Sequence, residues 1–330
     1  MRISPDRAEA SAGAARSVHY LHEGQKQRIE ALRTSWLWRS QLPTWLVIAS
    51  IYGGWFTVLM HAEQLGKPAS AVLLILLLTW YMSLQHELVH GHPTRWPGVN
   101  RLLGMPPLAI WFPFGLYRDS HRAHHRNEQI TYPELDPESY FVSARRWASY
   151  GNARRGLLRF RNTIAGRLLI GPMFSIAGTV RDEWRKIARG DVRIMGRWLL
   201  HVALVVALLS WIERLSGLSP LFYIFAIAYP ALALTLVRSF HEHRPAARAE
   251  QRSVLNDAGW FWRLLFLNNN YHLVHHDLPD VPWYGLRKLY LEERTRYHER
   301  SGGYHIAGYG KWLRRHAFSP VEHPVHEFDH

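Results

Sequence analysis

The sequence alternates long apolar runs with polar, arginine-rich segments. Four of the runs approach or exceed the lower limit of ~17 residues for a helix that crosses a bilayer. They cover residues 44–60, 69–84, 198–212 and 218–237, in two pairs that each enclose a short polar connection. The pattern therefore predicts an all-α membrane protein with four transmembrane helices in two hairpins.

Three further segments are apolar or amphipathic without reading as clear spans. Residues 102–116 are interrupted by three prolines, which favours an interfacial or re-entrant segment. Residues 168–180 are interrupted by a Gly-Pro pair, which favours a helix on the membrane surface, with a short additional span as the alternative. Residues 25–38 suit an amphipathic helix on the membrane or an ordinary solvated helix.

The basic residues are distributed unevenly about these spans. The chain carries a net charge of +14, and 38 of its 40 Lys and Arg residues fall on one side of the four-span arrangement. The positive-inside bias predicts that this side is cytoplasmic, with both termini and a helical cap between the spans. The long apolar runs favour a membrane over nucleic acid as the partner of so basic a chain, and no nucleic-acid motif is evident.

The chain has no cysteine. Disulfides, thiolate metal sites and a cysteine nucleophile are therefore excluded. The first forty residues are polar, so no cleavable signal peptide is expected.

Three histidine clusters stand out from the remaining histidines. They are H-E-L-V-H at 86–90, H-R-A-H-H at 121–125 and H-L-V-H-H at 272–276. Residues three or four apart share one side of a helix, so each cluster can direct its imidazoles towards one site. Neutral imidazole binds iron, zinc, copper and nickel. Eight histidines exceed the needs of one tetrahedral zinc and suit two metal ions of higher coordination number.

The order and spacing of these clusters resemble the three histidine boxes of the integral-membrane fatty acid desaturase and hydroxylase superfamily. That resemblance implies a di-iron centre with one further ligand after the last span, and His243 in His241-Glu242-His243 is the favoured residue. The implied ligands are His86, His90, His121, His124, His125, His243, His272, His275 and His276. Additional or supporting positions are His92, His241 and Asn270.

The resemblance also implies a reaction and its partners. Two Fe ions would use O2 to oxidise a lipid or fatty-acyl chain, with desaturation as the first hypothesis. The chain has no flavin, nicotinamide or haem motif, so a separate ferredoxin, rubredoxin or cytochrome is expected as the electron donor. The expected organisation is a cytoplasmic segment over 1–43, a desaturase-like domain over 44–300 and a tail over 301–330.

Several alternatives remain open from the sequence. The same centre could serve a lipid, carotenoid or alkane hydroxylase. H-E-L-V-H also matches the H-E-x-x-H motif of zinc proteases, with His86 and His90 as ligands and Glu87 as base. A non-enzymatic metal-binding or transport protein is a third possibility. Four carboxylates are candidates for orienting the imidazoles: Glu87, Asp119, Glu242 and Asp277.

Overall fold

A computed structural model describes residues 18–328. Residues 1–17 of the expected N-terminal segment and 329–330 of the tail lie outside the described residues. The described chain is predominantly helical, and its strands are the short parallel pair β1 (Leu255–Asn256) and β2 (His305–Ile306). The all-α prediction is confirmed.

Four helical segments are long and apolar enough to cross a membrane, as the sequence predicts. They are Trp36–Met60, Ala62–Val89, Val192–Ser216 and Pro220–Ser239. The first consists of α2 (Trp36–Ser40) and α3 (Leu42–Met60), after α1 (Glu23–Thr34). The second is α4 (Ala62–Val89).

The third span is the least covered by protein, with 17% of its most apolar stretch buried. Side chains such as Leu199 and Val206 are well exposed on its surface. A continuous apolar surface of this size is expected to contact lipid rather than water.

The connection between the first two spans differs from the expected polar loop over 61–68. Helix α4 already begins at Ala62 and bends at Gly66, whose φ of 74° is left-handed. Lys67 and Pro68 follow, and a proline disfavours helical backbone in the residue before it. The hairpin therefore turns through a bent helix, because one left-handed glycine is enough to redirect the chain.

The proline-rich segment 102–116 does not span. Helix α5 (Pro97–Gly104) ends there, and α6 (Phe114–His125) starts after an irregular stretch. Side chains from the spans satisfy the irregular backbone: Tyr81 Oη donates to the Gly104 carbonyl, Tyr223 Oη to Leu108, and His201 Nε2 contacts the Ile110 carbonyl. Non-helical backbone at this depth is tolerated because protein groups replace water as hydrogen-bond partners.

The arginine-rich middle of the chain forms short helices rather than a further span. They are α7 (Ala144–Ala148), α8 (Asn152–Arg161), α9 (Ile164–Leu169) and α10 (Gly171–Ala188). Their exposed apolar side chains include Leu169, Met173 and Trp184. Exposed apolar side chains are typical of a helix at a membrane surface, and that position stays a prediction.

The last two spans are α11 (Val192–Ser216) and α12 (Pro220–Ser239). Helix α12 contains a π-helical stretch over Tyr223–Ala228, just before Pro230, which lacks a backbone N–H. The helices that follow are α13 (Trp260–Leu265), α14 (His272–Asp277), α15 (Trp283–Glu292), α16 (Arg294–Arg300) and α17 (Tyr309–Arg315).

Both ends of the described chain pack against the elements that carry the histidines. Ile29 of α1 lies in one core with Tyr271 and Leu286. Beyond residue 300, Tyr309 and Trp312 join a core with Phe240, at the end of the last span. The spans therefore open, at one end, onto a helical cap formed by both ends and the middle of the chain.

Candidate metal centre

The first two histidine clusters lie in the last turn of longer helices, and the third makes up nearly all of a short helix of its own. His86 belongs to the final turn of α4, and His90 is its C-cap residue. Gly91, with a φ of 90°, then ends the helix and turns the chain away. The second cluster forms the last turn of α6, and the third forms α14.

The structure brings the nine expected histidines together in two neighbouring groups. The five-histidine group contains His86, His90, His121, His125 and His275. The four-histidine group contains His124, His243, His272 and His276. The candidate ligand nitrogens within each group lie within 4.8 Å of one another. The groups adjoin, since the rings of His125 and His276 stack with centroids 4.2 Å apart.

The division between the groups follows helical geometry and refines the expectation of one direction per cluster. In the second cluster His121 and His125 enter the five-histidine group, whereas His124 enters the other. In the third cluster His272 and His276 stay together and His275 leaves. Residues i and i+4 are offset by about 40° around a helix, whereas residues i+3 and i+4 are about 100° apart. Each H-x-x-H-H cluster therefore serves both groups.

The distances between imidazoles fit shared metal ions. Nε2 atoms approach to 3.1 Å in His90–His121 and His125–His275, and to 3.0 Å in His243–His272. Imidazoles this close together can share one metal ion, because bonds from a metal to histidine nitrogen are ~2.0–2.1 Å long. His86 Nε2 is buried without a hydrogen-bond partner among the described residues, which suits a ligand atom.

A comparison with known families decides the classification. The fatty acid desaturase family matches residues 64–308, about three quarters of the chain, including all three clusters. The chain belongs to the fatty acid desaturase family. No curated protein matches the chain.

In this desaturase-family chain, carboxylates and an amide contact the Nδ1 atoms of several imidazoles. His124 Nδ1 donates to Asp136 Oδ1 at 2.8 Å, and His121 Nδ1 donates to Glu138 Oε1 at 3.0 Å. His272 Nδ1 lies 3.2 Å from Asn269 Oδ1. A proton fixed on Nδ1 leaves the Nε2 lone pair to face the group interior.

Asp136, Glu138 and Asn269 are therefore supporting residues that the sequence interpretation missed. A weak signal existed in the segment L-D-P-E after the second cluster, where two acids flank a proline. Nothing in linear spacing showed that this turn folds back beneath α6.

The carboxylates that were expected to orient imidazoles mostly have other partners. Glu87 accepts the backbone N–H of Trp283, Asp119 pairs with Arg118 and Arg197, and Asp277 pairs with Arg300. Glu242 alone of the four lies near a histidine of the two groups, 3.4 Å from His272 Nδ1. It also pairs with Arg238 and accepts from Asn269.

The three positions expected to be additional or supporting lie outside both histidine groups. His92 is buried beyond Gly91. His241 Nε2 lies 3.1 Å from Asn256 Nδ2, and the Asn270 side chain donates to the Asn256 carbonyl. His241 and Asn270 thus brace β1 rather than contact the nine histidines.

The protonation states expected without metal differ between the histidines. Burial and neighbouring histidines lower the pKa of His125, His272 and His276 well below the usual range. Burial alone would also lower the pKa of His124, but Glu138 and Asp136 outweigh it and raise it to about 9. Most of the site is therefore preset as neutral imidazole, the form that binds metal.

The C-terminal tail reaches this supporting layer. The Thr131 backbone N–H donates to Asp136 Oδ2 at 2.8 Å, and Thr131 Oγ1 lies 2.9 Å from His326 Nε2. Val325 also pairs with Val142 through a β-bridge. A hydrogen-bonded path thus runs from the tail through Thr131 and Asp136 to His124.

Proposed function

We propose that the chain is a membrane-bound, O2-dependent di-iron oxidoreductase that acts on a lipid acyl chain, with desaturation as its reaction. The observation that carries the proposal is the pair of adjacent five- and four-histidine groups at one end of four apolar spans. The nine histidines would be the ligands of two iron ions, which supply O2 activation when bound. A mononuclear zinc centre would leave most of these imidazoles without a role.

The residues of the chain would support that chemistry in distinct ways. Asp136, Glu138 and Asn269 hold the imidazoles that they contact in one orientation. The candidate ligand nitrogens of the five-histidine group lie within 4.8 Å of one another, and His86, His90, His121 and His275 are buried. This exclusion of water would protect a strong oxidant from side reactions. The apolar spans below would hold the acyl chain. We retain 44–300 as the domain for this activity.

The overall reaction must balance with an external donor. Removing two hydrogens from adjacent methylenes forms one C=C bond, and O2 with two further electrons and two protons leaves as two waters. The electrons would come from a separate ferredoxin, rubredoxin or cytochrome, to which the basic cap offers an electrostatic docking surface. Hydroxylation, the alternative, would place one oxygen atom in the product.

The protease alternative is disfavoured by geometry. His86 and His90 share their group with three more histidines, and Glu87 is buried against the Trp283 backbone. A base for hydrolysis must reach a water on the metal.

The test uses labelled oxygen and matched histidine variants. The purified protein, loaded with iron and given a reducing system and an acyl lipid, should form an unsaturated product without label from 18O2, and none without O2. His275→Ala should remove most activity, whereas His61→Ala, at the opposite end of the spans, should keep it. A labelled alcohol would indicate hydroxylation. Equal turnover without O2 would exclude the di-iron oxidase.

We further propose that the cap and both termini face the cytoplasm. The chain has no native cysteine, so single cysteines report topology directly. Cysteines at the exposed hairpin positions Lys67 and Glu213 should react with an impermeant reagent in intact cells, and one at exposed Lys311 should not. The reverse pattern would invert the topology.

A further inference from the structure

A pocket lined by four arginines lies between α5 and α6, beside the end of α4 that carries His90. Its arginines are Arg95, Arg101, Arg118 and Arg122, and no acidic residue lines it. The cavity holds about 80 Å³. We infer that this arginine pocket binds the phosphate of an anionic phospholipid in the leaflet on the cap side.

The walls of the arginine pocket are held in place before any ligand binds. Asn100 accepts from the Thr94 hydroxyl at 2.9 Å and donates to the Thr94 carbonyl at 2.8 Å, which closes the loop that carries Arg95. Arg122 Nη2 donates to the Val89 carbonyl at 3.2 Å, and Arg118 is oriented by Asp119. Such preorganisation lowers the entropic cost of binding.

The charge of the pocket selects an anion with several acceptor oxygens. Four cationic side chains line one small cavity, and a phosphate bound there would accept charge-assisted hydrogen bonds from guanidinium groups. The nearby Asp119 is already shared between Arg118 and Arg197. It therefore cannot neutralise the pocket alone.

The position of the pocket indicates a lipid as the source of the phosphate. The C-terminal end of α5 packs against the first two spans, where Tyr52 Oη donates to the Leu103 carbonyl and Gln85 Nε2 donates to the Gly104 carbonyl. On the outside, Trp96 is 60% exposed and Leu102 is 65% exposed. Exposed tryptophan beside arginine is the usual composition of a membrane interface, with the apolar groups in the acyl region and the cations at head-group level.

The inference depends on the membrane placement and not on the proposed reaction, so the two can fail separately. The arginines also lie outside the proposed ligand set. Arg118 and Arg122 share α6 with His121 and His124, so the test changes only Arg95 and Arg101, which are exposed and belong to the loop and α5.

The test compares lipid binding in the full-length protein reconstituted in nanodiscs. Wild type and the double variant Arg95→Gln/Arg101→Gln are placed in phosphatidylcholine with or without phosphatidylglycerol, and bound lipid is counted by native mass spectrometry. The matched control is Arg314→Gln/Arg315→Gln, which removes the same charge from the exposed end of α17. The preference for phosphatidylglycerol should fall about fivefold per pocket arginine, or about 25-fold in the double variant, and should persist in the control.

Three results would overturn the inference. An equal loss in the control pair would show a diffuse charge effect rather than a pocket. In a second assay, inorganic phosphate is added to the detergent-solubilised protein. If it raises the unfolding temperature of wild type but not of the pocket variant, and neither prefers phosphatidylglycerol, the pocket binds a soluble phosphate compound. An unchanged preference in the pocket variant would also exclude the site.

Discussion

Replacing Asp136 with Asn tests whether the layer behind the histidines controls metal binding. Asp136 Oδ1 accepts from His124 Nδ1 at 2.8 Å and from the Glu138 backbone N–H at 3.0 Å. Oδ2 accepts from the Thr131 backbone N–H at 2.8 Å. The side chains of Asp136 and His124 are only 2% and 1% exposed, so water cannot replace a lost partner.

An asparagine has the same shape but only one acceptor oxygen. If its NH2 faces Thr131, two donors meet in a buried site, at a cost of about 1–3 kcal/mol. If its NH2 faces His124, the imidazole must carry its proton on Nε2, where a metal would bind. Either orientation weakens the four-histidine group, and loss of a supporting partner of this kind typically lowers metal affinity by about 10–100-fold.

The assay measures iron retained by the protein against increasing chelator. Because His124 belongs to the four-histidine group, Asp136→Asn should lower the stoichiometry from about two irons towards one, rather than to none. Asp182→Asn is the matched control, since that carboxylate is 52% exposed and pairs with exposed arginines. Two irons held as tightly in Asp136→Asn as in wild type, with normal helix content, would refute the reasoning.

Four further predictions follow from three residues. Because the pKa of His124 is raised to about 9, a metal ion must displace a proton from it at neutral pH. The metal affinity of the four-histidine group, measured by metal titration, should therefore fall about tenfold for each pH unit below about 9. In the metal-free protein the same raised pKa stabilises the fold fully below pH ~6.5 and no longer above about 9, which thermal unfolding against pH would detect. Gly91→Ala should destabilise the protein by about 1–2 kcal/mol, because its φ of 90° is unfavourable for a residue with a side chain. Gly98→Ala, the control at an open position with an ordinary φ, should leave stability unchanged. Equal unfolding temperatures for the two variants would contradict this prediction. His326→Ala should lower the free energy of unfolding by about 0.5–1.5 kcal/mol, because the hydrogen bond to Thr131 is lost. It should speed iron loss less than Asp136→Asn does. An effect on iron loss as large as that of Asp136→Asn would show a direct role for the tail.

The sequence by itself determined the membrane architecture and eight of the nine histidines that the structure brings together. Apolar run length is a local property, because a helix satisfies its own backbone hydrogen bonds in lipid, so four spans could be read from composition alone. The i, i+3 and i, i+4 spacings are equally local, and they placed eight histidines. His243 lies outside any such spacing and came from family resemblance.

Only the tertiary structure decided how those histidines divide and what holds them. The helical spacing directs His124 away from His121 and His125, but which group each of them enters depends on how α6 is rotated against α14. Asp136 acquires its role only when the turn after α6 folds back, and His326 only when the tail packs against that turn. Glu87, by contrast, is next to a histidine in sequence yet turns to the Trp283 backbone. The position of a residue on a helix determines the direction of its side chain. Its hydrogen-bond partner is determined by the distant segment that packs against that side of the helix.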